Sequence, residues 1–161
     1  MTKKADYTDQ EWEGLLTTPV LAGTYIIVAD MSVTAVPKEM KGLLSAMMNS
    51  LVPVEAEELI TALVEDIKRK SENKEKIEQP QIEQGQDVKQ QLLGSLQKNL
   101  AVLDGKAAPG EKAAFCHWLL GLAQATAQAG REGGFLGIGS VRVSDQEKAA
   151  LDELKQALGV A

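Results

Sequence analysis

The chain is short of several residue types, and each shortage excludes something. Its 161 residues include one cysteine and one histidine. A lone Cys116 excludes an intramolecular disulfide framework. With His117 as its only companion, it supplies too few ligands for a Cys/His zinc site. Adjacent residues on a helix also point about 100° apart, so Cys116 and His117 do not form a nucleophile–base pair. The expectation is a core thiol beside a partly buried imidazole. Aromatic residues are few, with two each of Trp, Tyr and Phe.

Basic residues are outnumbered. Lys plus Arg total 17 against 23 Asp plus Glu, a formal charge of −6, and most of the acidity lies before residue 80. Nucleic-acid binders neutralise phosphates with a basic surface, and none is evident. The one basic run, Lys68-Arg69-Lys70, is followed by Glu72, Glu75 and Glu78 and reads as a helix end. Long apolar runs are absent too. The longest, Pro19 to Ala29, falls short of the ~20 residues a membrane span needs. Where a signal peptide would place its apolar core, the chain reads Ala5-Asp6-Tyr7-Thr8-Asp9. The expected localisation is cytoplasmic.

What the chain has is apolar residues of the helix-forming kind. They make up 44% of the sequence, and Ala and Leu lead them. The length suits one domain, 1–161, and the pattern predicts an all-α bundle of six or seven helices. Thr8-Asp9-Gln10-Glu11 is a capping box that opens a short helix to about Leu16. Pro19 then restarts a helix that is apolar all round and expected to be central. Pro37 opens the next, with Met40, Leu43, Leu44, Met47 and Met48 as its apolar side. Pro53 opens a third, striped by Leu59, Leu63 and Ile67, with Glu55, Glu57, Glu58, Glu65 and Asp66 toward solvent.

Residues 71–86 read SENKEKIEQPQIEQGQ, a polar stretch near the midpoint that suits a linker. Beyond it, Val88, Leu92, Leu96, Leu100 and Leu103 stripe a fourth helix. A fifth runs from Pro109 to about Ala129, with Phe115, Trp118, Leu119 and Leu122 on one side. Ser144-Asp145-Gln146-Glu147 is a second capping box, opening a helix with Leu151, Leu154 and Leu158 inward and Gly159 as its stop. Gly134, Gly137 and Gly139 lie between the last two helices. They lack the strand–turn–helix context of a phosphate-binding loop, so they are expected to let Phe135, Leu136 and Ile138 tuck back on the bundle.

The halves look duplicated, about 8–70 against 87–159. Each has a proline-started apolar helix, an acidic residue near its end, and a Glu in the first turn of the next helix. Those residues are Asp30 and Glu39, then Glu132 and Glu147. With Val28-Ala29-Asp30, Glu132-Gly133 and Val143-Ser144-Asp145-Gln146-Glu147, this pattern resembles, as a divergent member, the tellurite-resistance TerB-like family. The resemblance spans about Pro19 to Leu158. It implies an all-helical fold with internal pseudo-symmetry, a link to tellurite resistance and stress response, and a divalent-metal site of acidic residues from both halves.

The candidate ligands are therefore Asp30, Glu39, Glu132 and Glu147, whose carboxylates suit hard cations such as Ca²⁺ or Mg²⁺. A plain structural role competes, since Glu39 and Glu147 occupy first turns where a carboxylate is favoured anyway. No nucleophile–base pair or cofactor motif assembles, so the expectation is a non-enzymatic stress-response protein that binds a divalent cation or a protein partner, or self-associates. The alternative is a small-molecule or lipid carrier with an apolar pocket between the halves. Met31, Met40, Met47 and Met48 offer an adaptable partner surface, and Trp12 an anchor within the fold or for a second subunit.

Overall fold

The computed structural model describes residues 1–30, 36–77, 83, 87–129 and 144–160, with backbone alone at 30 and 36–41. The described residues form six α-helices and no strand, an all-α bundle. Helix α1 spans Asp9–Asp30, α2 Val36–Asn49, α3 Glu57–Glu72, α4 Val88–Leu100, α5 Pro109–Ala129 and α6 Asp145–Leu158. Single 3-10 turns at Val54–Ala56 and Ala101–Leu103 lead into α3 and out of α4.

The two longest helices are the centre. Helix α1 packs on α4, α5, α6 and α2, and α5 packs on α2, α1 and α6. Both are apolar nearly all round, as a helix surrounded by others must be. For α1 this is the expected role. For α5 a one-sided face was expected, yet Cys116, Leu120, Ala123 and Ala127 are buried along with Phe115, Trp118, Leu119 and Leu122. One hydrophobic core draws on all six helices, with Leu15, Leu43, Leu63, Leu96, Phe115 and Leu154 among its fully buried members.

The first correction concerns α1, which does not break near Leu16 but runs unbroken through Pro19. Proline lacks the N–H that would reach the carbonyl four residues back, here that of Leu15. The Thr18 hydroxyl, fully buried, donates to that carbonyl at 2.7 Å instead. Thr17 makes the same bond to the Gly14 carbonyl at 2.7 Å. The Thr18 hydroxyl thus meets the need that proline creates.

Both capping boxes form. Thr8 N–H donates to Glu11 at 2.7 Å and Glu11 N–H returns to the Thr8 hydroxyl at 3.3 Å. Lys106 then binds Glu11 at 2.7 Å, and this bond, followed by that from the Thr8 backbone, draws the Glu11 carboxyl down to about 2. Asp87 caps α4 through Gln90 N–H. Gly159, at φ 66°, ends α6 in the left-handed conformation that glycine adopts without a Cβ penalty.

Helix α3 is fastened by polar cross-links as well as by Leu59, Ile60, Leu63 and Ile67. Asp66, expected on the solvated side, instead accepts the Trp12 indole N–H at 2.8 Å, together with Lys4 and Arg69. Trp12 is buried, an anchor within the fold. Burial opposes ionisation of Asp66, but the bonds from Lys4, Trp12 and Arg69 outweigh it and hold the carboxyl below its ordinary value. In the Lys68-Arg69-Lys70 run, Arg69 also pairs with Glu75, and Lys70 reaches Glu13 of α1 at 2.6 Å.

Candidate functional site

Among the described residues an open groove lies between α2 and α5, one helix from each half of the chain. Gly42 lets these helices approach, since a Cβ there would overlap that of Ala129. Leu43 and Met47 then point into the core. Their neighbours do not. Leu44 and Met48, expected on the buried side with them, are 43% and 44% exposed. The reason is geometric: a 14-residue helix packed against α5 and α1 buries a stripe, and residues one position along fall outside it.

Two more large apolar side chains are exposed at the corner that follows α2. Leu51 is 95% exposed and Val54 72%. They flank Val52 and Pro53 in a segment without helical hydrogen bonds before the Val54–Ala56 turn. The corner is held to α5 by Trp118, whose indole N–H donates to Ser50 Oγ at 2.8 Å, while Ser50 donates to the Met47 carbonyl at 3.3 Å. Between them opens a groove of about 750 Å³, lined by Gly42, Ala46, Leu51, Trp118, Leu122 and Ala125, with Ser45, Asn49, His117 and Gln128 as polar members. No carboxylate, lysine or arginine lines it among the described residues. Such a site can bury apolar surface and offer a few hydrogen bonds.

Of the residues proposed from sequence, Cys116 is buried, and burial pushes its thiol pKa up. His117 corrects the expectation of a partly buried ring. It is exposed, with Nδ1 2.8 Å from the Ala113 carbonyl one turn back.

The acidic set is placed unevenly. Asp30 is the last residue of α1 and Glu39 lies in the first turn of α2, and the side chains of both are outside the described residues. Glu132 and the glycine-rich stretch 130–143 are outside them as well. Glu147 is described. It is buried at the third position of α6, where its carboxylate accepts the Ser144 N–H at 2.8 Å and its own N–H donates to Ser144 Oγ at 3.1 Å. Among the described residues no three His, Cys, Asp or Glu side chains converge as a metal-holding group.

The groove could not be placed from the sequence because its α2 side is Gly42, Ser45, Ala46 and Asn49, small and polar residues that apolar periodicity does not count. A signal was present nonetheless: Leu51-Val52-Pro53-Val54 places three large apolar residues around a proline, outside any helical stripe. No protein-family model matches the chain, and no curated protein or solved structure matches it significantly.

Proposed function

We propose that this chain is a non-enzymatic, TerB-like helical module whose two halves present the α2–α5 groove to a helix of a partner protein. One observation carries the reading. Leu51, 95% exposed, joins Val52, Pro53, Trp118 and Leu122 in the lining of an open, mostly apolar groove. A groove between two helices suits an amphipathic helix, whose residues at i, i+3, i+4 and i+7 fill it. The role in stress response and tellurite resistance comes from the resemblance alone.

A photo-reactive residue at Leu51, and a control at exposed Glu65 on α3, test this in producing cells. The expected product is an adduct from Leu51 alone, mapping to an apolar helical stripe of one partner. Equal adducts from both positions, or none, would remove the reading. An adduct to a second copy would redirect it to self-association.

A second reading, a carrier of a small apolar ligand, is favoured by the groove volume of about 750 Å³, within the usual range for small-molecule sites. Native mass spectrometry showing a co-purified organic molecule, lost in Trp118→Ala, supports it over the partner reading.

The divalent-cation site at Asp30, Glu39, Glu132 and Glu147 rests on the resemblance. The capping bonds of Glu147 weigh against it, because a cation there competes with the Ser144 N–H. If the four residues bind Ca²⁺ or Mg²⁺, millimolar metal raises the Tm of the native chain but not that of Asp30→Ala. No rise removes the site and leaves the groove untouched.

A further inference from the structure

Two surfaces are left uncovered on either side of α2. Gly42 and Ala46 turn toward α5 and, with Ser45 and Asn49, line the groove. Leu43 and Met47 turn into the core. Successive helical residues stand about 100° apart, so Leu44 and Met48 come out on the flank away from α5, one turn apart, as an exposed apolar ridge. Ridge and groove differ in size as well as in place. The ridge offers large side chains, whereas the groove walls include the small residues Gly42, Ser45, Ala46, Gly121 and Ala125. Nothing lies within 4 Å of a Cβ built on Gly121, so the α5 wall has room there.

Charge selects what can cover them. The chain is 25% charged with a net −6, so two copies repel over most of their surface. Residues 42–54 and 113–129 contain no Asp, Glu, Lys or Arg. Ridge and groove both belong to these two segments, so a second copy can approach here without like charges meeting. One helix of an unrelated protein would fill the groove and leave the ridge bare, whereas a second copy covers both.

We propose that the helix received by the groove is α2 of a second copy of this chain, in a two-fold dimer. The inference rests on the reading of the groove as a helix-docking site and names its occupant. With the two-fold axis parallel to α2, each α2 lies in the other copy's groove. Ser45 and Asn49 then meet the other α2, while Leu44 and Met48 meet Gly121 and Ala125 of the other α5. Each copy gives and receives the same contact, the isologous arrangement of a closed dimer. Leu51, in the groove lining, is covered with them.

Sedimentation of the full chain at about 100 μM, where a contact of Kd ~10 μM or tighter is mostly assembled, should give twice the monomer mass. A monomer overturns the proposal. Met48→Lys and Gly121→Glu each put one charge into the apolar contact at an exposed position, so each alone should lose the dimer and keep the fold. Mixed in equal amounts, the two variants should dimerise again. The opposite charges then face each other across one ridge–groove contact, and the other contact stays native. A dimer of either variant alone, or none in the mixture, overturns the contact. Should a variant fail to fold, a photo-reactive residue at Leu44 decides, in a mixture of isotopically light and heavy chains. Adducts joining light to heavy chains within 117–128 are expected, and their absence overturns the proposal. A monomeric native chain that still cross-links from Leu51 to another protein overturns the second copy alone and leaves the docking reading standing.

Discussion

The Thr18 hydroxyl donates to the Leu15 carbonyl at 2.7 Å, one residue before Pro19 withholds the amide that carbonyl would otherwise receive. The two features are one device. Proline inside a helix ordinarily costs ~3 kcal/mol or more, and a large part of that is an orphaned carbonyl. Thr18→Val keeps the β-branched shape and deletes the donor, so it should destabilise by about 1–3 kcal/mol. In a Pro19→Ala background the restored N–H serves Leu15, and the cost of Thr18→Val should fall below about 1 kcal/mol. A double-mutant cycle in urea measures the coupling; additive costs would show that Thr18 does not serve this carbonyl.

Glycines in the helices should divide by what surrounds them. A Cβ on Gly42 meets that of Ala129, and a Cβ on Gly23 lies 2.5 Å from Leu43 Cδ2, itself fully buried. Gly42→Ala should cost about 1–3 kcal/mol, because α2 must move off α5. Gly94 has nothing within 4 Å of its notional Cβ, so Gly94→Ala should stabilise α4 by about 0.5–1 kcal/mol. Chemical denaturation of both variants checks the opposite signs.

Acid should weaken the bundle partly through Asp66. Its folded carboxyl titrates below the ordinary value, so its contribution is complete above the unfolded value of ~3.9 and is lost as pH falls through the folded one. The native chain should therefore lose more stability between about pH 4 and pH 2 than Asp66→Asn does. At neutral pH that variant should still cost about 1–3 kcal/mol, since Trp12 is left facing a poorer acceptor. By carboxyl NMR, Glu11 should titrate at about 2. Lys106→Ala should return it toward the ordinary glutamate range.

At the groove, function and stability should separate. Leu51, almost fully exposed, contributes little to the fold, so Leu51→Ser should change stability by no more than about 0.5 kcal/mol while abolishing partner engagement. Trp118→Phe keeps an aromatic side chain in the core but loses the bond to Ser50, and should cost about 1 kcal/mol and loosen the corner. Thermal melts paired with the cross-linking yield distinguish the two.

The sequence by itself determined the helices, because their signals are local. Thr8-Glu11 and Ser144-Glu147 are capping pairs three residues apart, Pro109 starts α5, Gly159 stops α6, and leucines stripe α4. Such features act within one or two turns and need no partner. Local signals misjudged α1, where proline argued for a break and a buried threonine hydroxyl maintained the helix. Only the tertiary structure decided which side of α2 meets α5, and so left Leu44 and Met48 exposed and Leu51 in the lining of a groove. It alone brought Thr2 to Glu111 and Trp12 to Asp66, across 109 and 54 positions of chain. Burial and long-range hydrogen bonds are properties of two surfaces at once, and periodicity along one segment carries no information about the second.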